Sequence, residues 1–597
     1  MHTLSERKRF AKIKSLLCHF YQEDKITLKP LTHQVAELIR QAIHNAQTAG
    51  ELPSVDIPTI DIKPPKKAEQ GDYGASVALA LSKPMGKPPI EIANIIAKHI
   101  TKPNFISAVE VAPPGFVNIR LDENWIRELV NTLITSGDAF ARLDIGAGKR
   151  AQVEFLSANP TGPITIGRSR GAILGDAIAR VLEATGYAVE REYYFNNAGA
   201  QMRNLGESLR LRYLEALGQA IEIPDMEKFY QGEYLIDYAK DLIAEKGDSL
   251  KNDDWQPFKE YAEKRMFQWI QETCARIGIK HDIFFNENSL YDSGAVWKTL
   301  EELQERGYVY TSVIREGETD EKVIAKSADF KPAQWFKSTA FGDDEDRVLV
   351  KSNGEPTYTL PDIAYHINKL ERGFDLAVNI LGADHFTQAQ VVRRGVEAMG
   401  YDPKPIHVVH VQMVSVVRDG KPFKGSTRRG LFDTLDELID LTSADAIRYF
   451  LLQRSPDSHL KFDINVAVSQ SNENPVYYIQ YAHVRCSGIL REAEARGVGI
   501  DDADLSLLGT EELNFLRKCL ELPDVMQIAS ENLSPHTIAF YALELANAFH
   551  PMYDRVRAFA DGIDPNLQKA RLAFYTATKA MFKRVLDLLG MTAPERM

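Results

Sequence analysis

The stretch from Val153 to Asn204, V-E-F-L-S-A-N-P-T-G-P-I-T-I-G-R-S-R-G-A-I-L-G-D-A-I-A-R-V-L-E-A-T-G-Y-A-V-E-R-E-Y-Y-F-N-N-A-G-A-Q-M-R-N, constrains the fold more than any other part of the chain. A short apolar strand around Val153 and Phe155 turns through Asn159, Pro160, Thr161, Gly162 and Pro163. Helical apolar spacing follows at Ile173, Leu174, Ala177, Ile178, Val181 and Leu182. Gly186 stops that helix, and Ala188 to Phe195 reads as a second strand. A strand, loop, helix, strand unit builds parallel sheet. Its loop feeds a helix N-terminus, where free N–H groups and the helix dipole favour bound phosphate, so nucleotide binding is the expected use. A lone Gly-rich turn serves tight turning and close helix packing equally well, so the turn by itself decides nothing.

A chain of 597 residues exceeds what one core organises, and roughly two to four domains are expected. No run of eighteen apolar residues occurs, so no membrane span is expected. The net charge of −12 excludes a protein that coats nucleic acid indiscriminately and confines any RNA contact to local surfaces. Cys18, Cys274, Cys486 and Cys519 are far apart and form no C-x-x-C pair, which argues against structural zinc or a disulfide framework and for a reducing cytoplasm. The N-terminus from Met1 to Asp24 is basic, contains Glu6 and lacks a long apolar centre, so within a 1–30 extension it reads as a solvated helix or an upstream start-codon overhang and not a secretory signal.

Taken in order, Leu31 to Asn45 reads as a helix, followed by a Pro-interrupted polar segment, Ser54 to Gly74. Helices Ala75 to Leu81 and Pro89 to Ile100 and strands Val109 to Val111 and Val117 to Leu121 complete a small α/β domain. Ala200 to Lys280 is helical and charged, with Tyr213, Leu214, Leu217, Tyr234, Ile236, Leu242 and Trp269 expected to pack. Asp292 or Ser293 caps a helix that ends before Gly307; Tyr308 to Val313 and Val323 to Lys326 read as strands, and a hairpin turns at Asn353 and Gly354. Tyr358 and Asp362, four residues apart, share one face of a helix start, where a capping and packing pair is the ordinary outcome. Strand Leu376 to Leu381, turn Gly382 to His385, helix Gln388 to Met399 and strand Ile406 to Val411 supply the second half of a sheet. Beyond strand Val414 to Arg418 and a basic loop, Ser443 caps a helix, and from Asp463 onward the pattern is helical throughout.

The wording of these segments closely resembles the arginyl-tRNA synthetases, class I enzymes that carry E-F-x-S-x-N-P-T-G-P on the first strand, then H-I-G-H, then R-E-Y-Y-x-N-D-A-G. The match takes in Glu154, Phe155, Ser157, Asn159 to Pro163, Gly167, Arg170, Gly171, Gly175, Asp176, Arg191 to Tyr194, Asn196, Ala198, Gly199 and Gln201. G-D-Y, L-S-K-P-M-G-K-P-P and P-P-G-F-V-N-I-R-L in the N-terminal domain and the ending A-P-E-R-M extend it from about residue 30 to the C-terminus. Departures are concentrated at the best-known motifs. Thr165, Ile166, Gly167 and Arg168 stand where the family reads H-x-G-H, Asn197 replaces an acidic residue, and Ala200 also differs. Phe386, Thr387 and Gln388 replace H-G-Y, and in the K-M-S-K loop Lys424 and Ser426 are kept while Gly425 and Thr427 are changed.

The resemblance implies an N-terminal α/β tRNA-contacting domain over 31–125, a Rossmann-type parallel-sheet catalytic domain with insertions over 145–462, and an all-α anticodon-binding bundle over 463–597. Glu154, Asn159 and Asn196 would hold arginine's polar atoms, with Tyr358 and Asp362 receiving its guanidinium. A planar cation with a fork of donors calls for a carboxylate and a flat surface, so the residue types agree. Pro160, Gly162, Gly167, Arg168, Gly171, Asp384, His385 and Lys424 would bind ATP, and Thr165, Gly167, Arg168, Lys424 and Ser426 would act on its phosphates. Tyr477, Tyr478 and Tyr481 are divided between helix core and stacking on tRNA bases. The implied reaction is ATP-dependent ligation of arginine to its tRNA, with magnesium accompanying ATP and no dedicated protein metal site, in a monomeric cytoplasmic enzyme. The changed motifs keep two alternatives in play, a weakened or inactive paralogue that binds tRNA or arginine and a synthetase-like ligase of other specificity.

Overall fold

The computed structural model describes residues 29–65, 67–221, 229–316, 331–423 and 434–597. They form two compact units. One takes the described part of Met1–Ile145 with Ile489–Gln527 and Pro551–Met581, and the other takes the described part of Gly146–Gly488 with Ile528–His550 and Phe582–Met597. The helical segment after residue 463 therefore contributes to both.

In the first unit the Leu31–Thr48 helix buries Val35, Ile39, Ala42, Ile43 and Ala46, the i, i+4, i+7 spacing that its sequence shows. An antiparallel sheet in the order β1-β2-β4-β3 joins β1 (Ile62–Lys63), β2 (Tyr73–Ala75), β3 (Ile106–Ala112) and β4 (Phe116–Leu121). The two short strands lie inside the stretch read as polar and irregular from sequence, because pairs this brief are specified by their partner and not by their own pattern. Asp122 caps the Glu123–Ser136 helix by accepting the Trp125 N–H at 2.9 Å, and Arg517 pairs with Asp72 at 2.8 Å.

The second unit is built on five parallel strands in the order β12-β11-β5-β6-β7, namely β5 (Arg150–Glu154), β6 (Ala188–Phe195), β7 (Ile283–Asn286), β11 (Leu376–Gly382) and β12 (Ile406–Val411). After β5 the chain lays β6 and β7 on one side, then returns to place β11 and β12 on the other. The strand order reverses between β5 and β11, and the crevice outside their C-terminal ends is where such sheets take ligands. Gly175 lets the Ile166–Ala184 helix lie on the sheet, since a Cβ there would stand 2.3 Å from the Phe155 ring. Between β7 and β11 comes a separate antiparallel sheet of β8 (Val309–Ser312), β9 (Ala333–Phe336) and β10 (Arg347–Val350).

Several expectations change. The cap of the Ala295–Glu305 helix is Gly294, left-handed at φ 76°, because Asn288–Asp292 forms a short helix of its own and uses Asp292 as its last residue. Ile236 is exposed while Leu235, Tyr238, Ala239 and Leu242 carry the buried face of the Tyr234–Lys246 helix. The turn at Asn353 and Gly354 forms, but its return arm is a single bridge, Val350 to Pro356, and β10 pairs with β9 instead. The strand expected at Val323 to Lys326 and the extension at 1–28 lie outside the described residues.

A buried ion pair locks helices onto the back of the parallel sheet. Asp176 accepts from Arg448 and from Arg180 Nε at 2.7 Å, and Arg448 also donates to the carbonyls of Leu589 at 2.8 Å and Ile277 at 2.7 Å. Burial alone would raise the Asp176 carboxyl, but the Arg448 and Arg180 guanidinium groups hold it below the usual aspartate range. Its contribution to stability is complete above the unfolded aspartate value, about 3.9, and is lost as the pH falls through the lower folded value. Asp176→Ala leaves Arg448 buried without a counter-charge and should cost about 3–5 kcal/mol, read as a large fall in thermal midpoint. A wild-type melting curve would contradict this assignment.

Candidate active site

The turn that leaves β5 is held in a costly shape. Leu156 and Ser157 take left-handed backbone conformations, φ 71° and 40°, which cost on the order of 1–3 kcal/mol each unless the surroundings impose them. Here β6 imposes them. The Tyr193 hydroxyl donates to the Ala158 carbonyl at 2.7 Å and accepts the Ala158 N–H at 3.1 Å, and Ser157 Oγ accepts the Tyr194 N–H at 3.2 Å. Asn159 Oδ1 accepts the Asn196 N–H at 3.1 Å, which brings two of the expected arginine-binding residues together.

Thr165 is the N-cap of the Ile166–Ala184 helix, with no capping bond from its hydroxyl, and Gly167 and Arg168 lie exposed in the first turn. The Arg168 guanidinium makes no hydrogen bond or ion pair among the described residues. Gly162 has open space where a Cβ would stand, Pro160 is buried, and Gly171 faces Ile380 at 3.6 Å. Asp384 and His385 form an exposed helical turn, Ala383–His385, at the end of β11. Lys424, Gly425 and Ser426 lie outside the described residues. The chain on either side of them is anchored: Phe423 N–H donates to Val416 O at 2.8 Å, Leu435 N–H donates to Ile164 O at 2.8 Å, and Thr434 bridges to Thr165. Arg170, in contrast, is fully buried and donates to the carbonyls of Ser458 at 2.6 Å, Ser455 at 2.8 Å and Gln412 at 3.1 Å, a structural role.

The part of the crevice expected to take the amino acid gathers carboxylates. Tyr358 caps the Thr359–Glu371 helix and is 77% exposed; Asp362 stands one turn on, its N–H donating to Tyr358 O at 3.2 Å, as the spacing of four requires. Asp362 Oδ2 accepts from Gln388 Nε2 at 2.5 Å. Burial, reinforced by the charges of Glu154 and Glu287 against the Gln388 bond, pushes the Asp362 carboxyl up to about 7. Glu154, buried at the C-terminal end of β5, accepts from Lys369 Nζ at 2.5 Å. Glu287 accepts from the Tyr194 hydroxyl at 2.8 Å and Asn196 Nδ2 at 2.9 Å, and its carboxyl is raised by burial against those two bonds.

Lys369, Gln388 and Glu287 are not among the site residues expected from sequence. Gln388 had a signal, the break in the H-G-Y wording, while Lys369 by itself reads as an ordinary helix lysine. Glu287 has no signal, because only the pairing of β6 with β7 brings it to Asn196. One departure from the family wording explains itself. Asn197 Nδ2 donates to Glu263 Oε1 at 2.6 Å, so an acidic residue at 197 would set two carboxylates against each other.

Tyr477, Tyr478 and Tyr481 form a half-buried cluster. Tyr477 stacks on Tyr481 at 5.7 Å between centroids, Tyr478 packs on His550 at 4.2 Å, and the Arg485 guanidinium lies 4.8 Å over the Tyr481 ring.

An open parallel sheet with a nucleotide turn after its first strand and a second one across the switch point is the catalytic fold of class I aminoacyl-tRNA synthetases. Three family models match in succession: arginyl tRNA synthetase N terminal domain over residues 33–121, tRNA synthetases class I (R), catalytic domain, over 130–470, and DALR anticodon binding domain over 479–597. An arginine–tRNA ligase of Desulfitobacterium hafniense is 41% identical over 572 residues, 94% of this chain and 98% of that protein. One of Carboxydothermus hydrogenoformans is 40% identical over 578 residues, 96% and 99%. The arginyl-tRNA synthetase structure of Thermus thermophilus shares the fold with a TM-score of 0.71 at 21% identity, over 95% of this chain and all of that one. The chain belongs to the arginyl-tRNA synthetase family.

Asp362→Ala should weaken arginine binding by about 2–5 kcal/mol, the penalty for removing one partner of a desolvated charge pair. Calorimetric titration with unchanged affinity would remove Asp362 from the site.

Proposed function

We infer that the chain ligates arginine to its cognate tRNA with ATP, through an arginyl-adenylate. The observation that carries this is 41% identity to an arginine–tRNA ligase over 94% of the chain, together with the three family segments matched in succession. The arginine carboxylate attacks the α-phosphorus of ATP, forming the carboxylate–phosphorus bond as pyrophosphate leaves. A terminal ribose hydroxyl of the tRNA then attacks the acyl carbon and AMP departs. Positioning and electrostatics supply the rate, since neither step needs a residue to become covalently bonded.

In this reading Asp362 and Tyr358 take the guanidinium, while Glu154, Asn159 and Asn196 orient the rest of arginine. Pro160, Gly162, Gly171, Asp384 and His385 line the ATP site, and Thr165, Gly167, Arg168, Lys424 and Ser426 act on the phosphates. Thr165 offers one hydroxyl and no charge, whereas Arg168 is a permanent cation with several donors, exposed at a helix N-terminus that already favours phosphate. Magnesium comes with ATP and neutralises phosphate charge; among the described residues no group of three or more His, Cys, Asp or Glu is placed to hold a metal ion. The segment 31–125 contacts tRNA, 145–462 carries catalysis, and 463–597 reads the anticodon, with Tyr477 and Tyr481 stacking on bases beside Arg485. The enzyme acts as a monomer in the cytoplasm; no described helix is long and apolar enough to cross a membrane.

Charging of unfractionated tRNA with labelled arginine tests the function, and absence of any arginyl-tRNA would overturn it. Arg168→Ala should lower the rate of arginine activation by about 10²–10³, the usual cost of one oriented phosphate donor. A wild-type rate in that variant would mean that Arg168 has not taken over the histidine's place.

A further inference from the structure

Lys369 is a fully buried cation at the base of the crevice. Its ammonium donates to Glu154 Oε2 at 2.5 Å and to Asn379 Oδ1 at 2.5 Å, and lies 4.3 Å over the Tyr365 ring. A buried ammonium without a counter-charge loses its proton, and one with a counter-charge still pays for dehydration, so a lysine here is retained for what its charge does. What it touches shows the use. Glu154 on one side is an expected arginine ligand, and Asn379 on the other begins a chain that leads to a second one.

That chain has only one consistent direction of donors. Asn379 Oδ1 is taken by Lys369, so its Nδ2 donates to His366 Nε2 at 2.5 Å; His366 therefore carries its proton on Nδ1 and donates to the Asp362 carbonyl at 2.7 Å. Burial and the nearby Lys369 charge push the imidazole down to about 3, so it remains neutral. Asp362, His366 and Lys369 sit on successive turns of one helix, and Glu154 faces Asn379 across the β5 and β11 pairing.

We propose that Lys369 is the positioning residue of the arginine pocket: it holds Glu154 as an oriented, charge-cancelled carboxylate and thereby keeps Asp362, as it meets a guanidinium, from facing a second uncompensated charge from β5. The proposal rests on the reading of Glu154 and Asp362 as arginine-binding groups. The groups that face Asp362 are Lys369 and His366 on its own helix, Glu154 from β5, Tyr194 from β6, Glu287 and Tyr291 from the segment after β7, and Gln388 from the Phe386–Ala398 helix. Tyr194 and Asn196 satisfy Glu287, and Lys369 satisfies Glu154. Removing the ammonium would set the unpaired Glu154 carboxylate against Asp362, and two such groups share a proton that arginine must expel.

The sign follows from the raised Asp362 carboxyl, which burial pushes up to about 7. Arginine binds the ionised form, so kcat/KM for arginine rises with pH up to that value and is flat above it. Loss of Lys369 raises the Asp362 carboxyl further and moves the rising limb to higher pH. The test is pyrophosphate exchange by the enzyme with tRNA present, over pH 6 to 9, for wild type, Lys369→Met and Lys369→Gln, with folding checked by circular dichroism. Lys369→Met should raise the KM for arginine by about tenfold or more at neutral pH and shift the limb upward, with the KM for ATP unchanged. A folded Lys369→Met enzyme with the wild-type arginine KM and pH profile overturns the proposal. Should that variant not fold, Lys369→Gln, which keeps hydrogen-bonding capacity and loses the charge, decides: an upward shift of the limb supports the proposal and an unchanged profile overturns it. Wild-type enzyme that shows no saturable dependence on arginine refutes the underlying reading of the pocket instead.

Discussion

Parallel pairing of β5 with β11 is the constraint on which the site depends. It sets Glu154 opposite Asn379 at the strand ends, and it creates the reversal of strand order that opens a crevice there. The two halves of the sheet then deliver different chemistry to one place. The turn after β5 brings Asn159, Gly162 and the helix N-terminus at Thr165 to Arg168, and the turn after β11 brings Asp384 and His385. Neither turn would have more than a generic affinity for phosphate by itself. The helix Thr359–Glu371, which precedes β11, adds Asp362, the proposed guanidinium partner, and Lys369 with its hydrogen-bond network.

The parallel-sheet architecture was legible because its signals are local. Strand, loop, helix and Gly186 lie within fifty residues of one another, and the helix starting near Tyr358 shows its period directly. Asp362 shows locally only as a carboxylate one turn from an aromatic residue, the pattern of a capping and packing pair, and its expected arginine-binding role comes from the family resemblance. What escaped were groups whose meaning comes from partners far along the chain. Glu287 reaches Asn196 only through the β6 and β7 pairing, and Lys369 reaches Glu154 across the sheet. A lone lysine on a helix reads as a solvated surface charge until the strand beneath it is known, and a two-residue strand such as β1 has no period to read at all.

The departures from family wording divide into two kinds. Asn197 is accommodated by its surroundings, because Glu263 accepts its amide and Lys259 pairs with that carboxylate at 2.6 Å. The change is a local exchange of one polar contact for another. Thr165 and Arg168 belong to the proposed triphosphate site: a hydroxyl at the N-cap and an exposed guanidinium in the first turn stand where the family has two imidazoles. An arginine at a helix N-terminus opposes the dipole, a small cost in the free enzyme that bound phosphate reverses. None of the proposed arginine-binding residues is among these departures, so in the proposed reading recognition of arginine and acceleration of its activation are separable.

The central claim is that a carboxylate pocket at the switch point of the sheet selects a cationic, guanidinium-bearing amino acid for activation by ATP. Pyrophosphate exchange into ATP, measured with tRNA present and with arginine, citrulline or lysine as the amino acid, tests it most directly. Citrulline keeps arginine's shape and loses its charge, and lysine keeps the charge and loses the planar fork. The account predicts exchange that depends on arginine and is near background with the other two. Exchange supported equally by citrulline, or by none of the three in a folded enzyme that binds ATP, would contradict it.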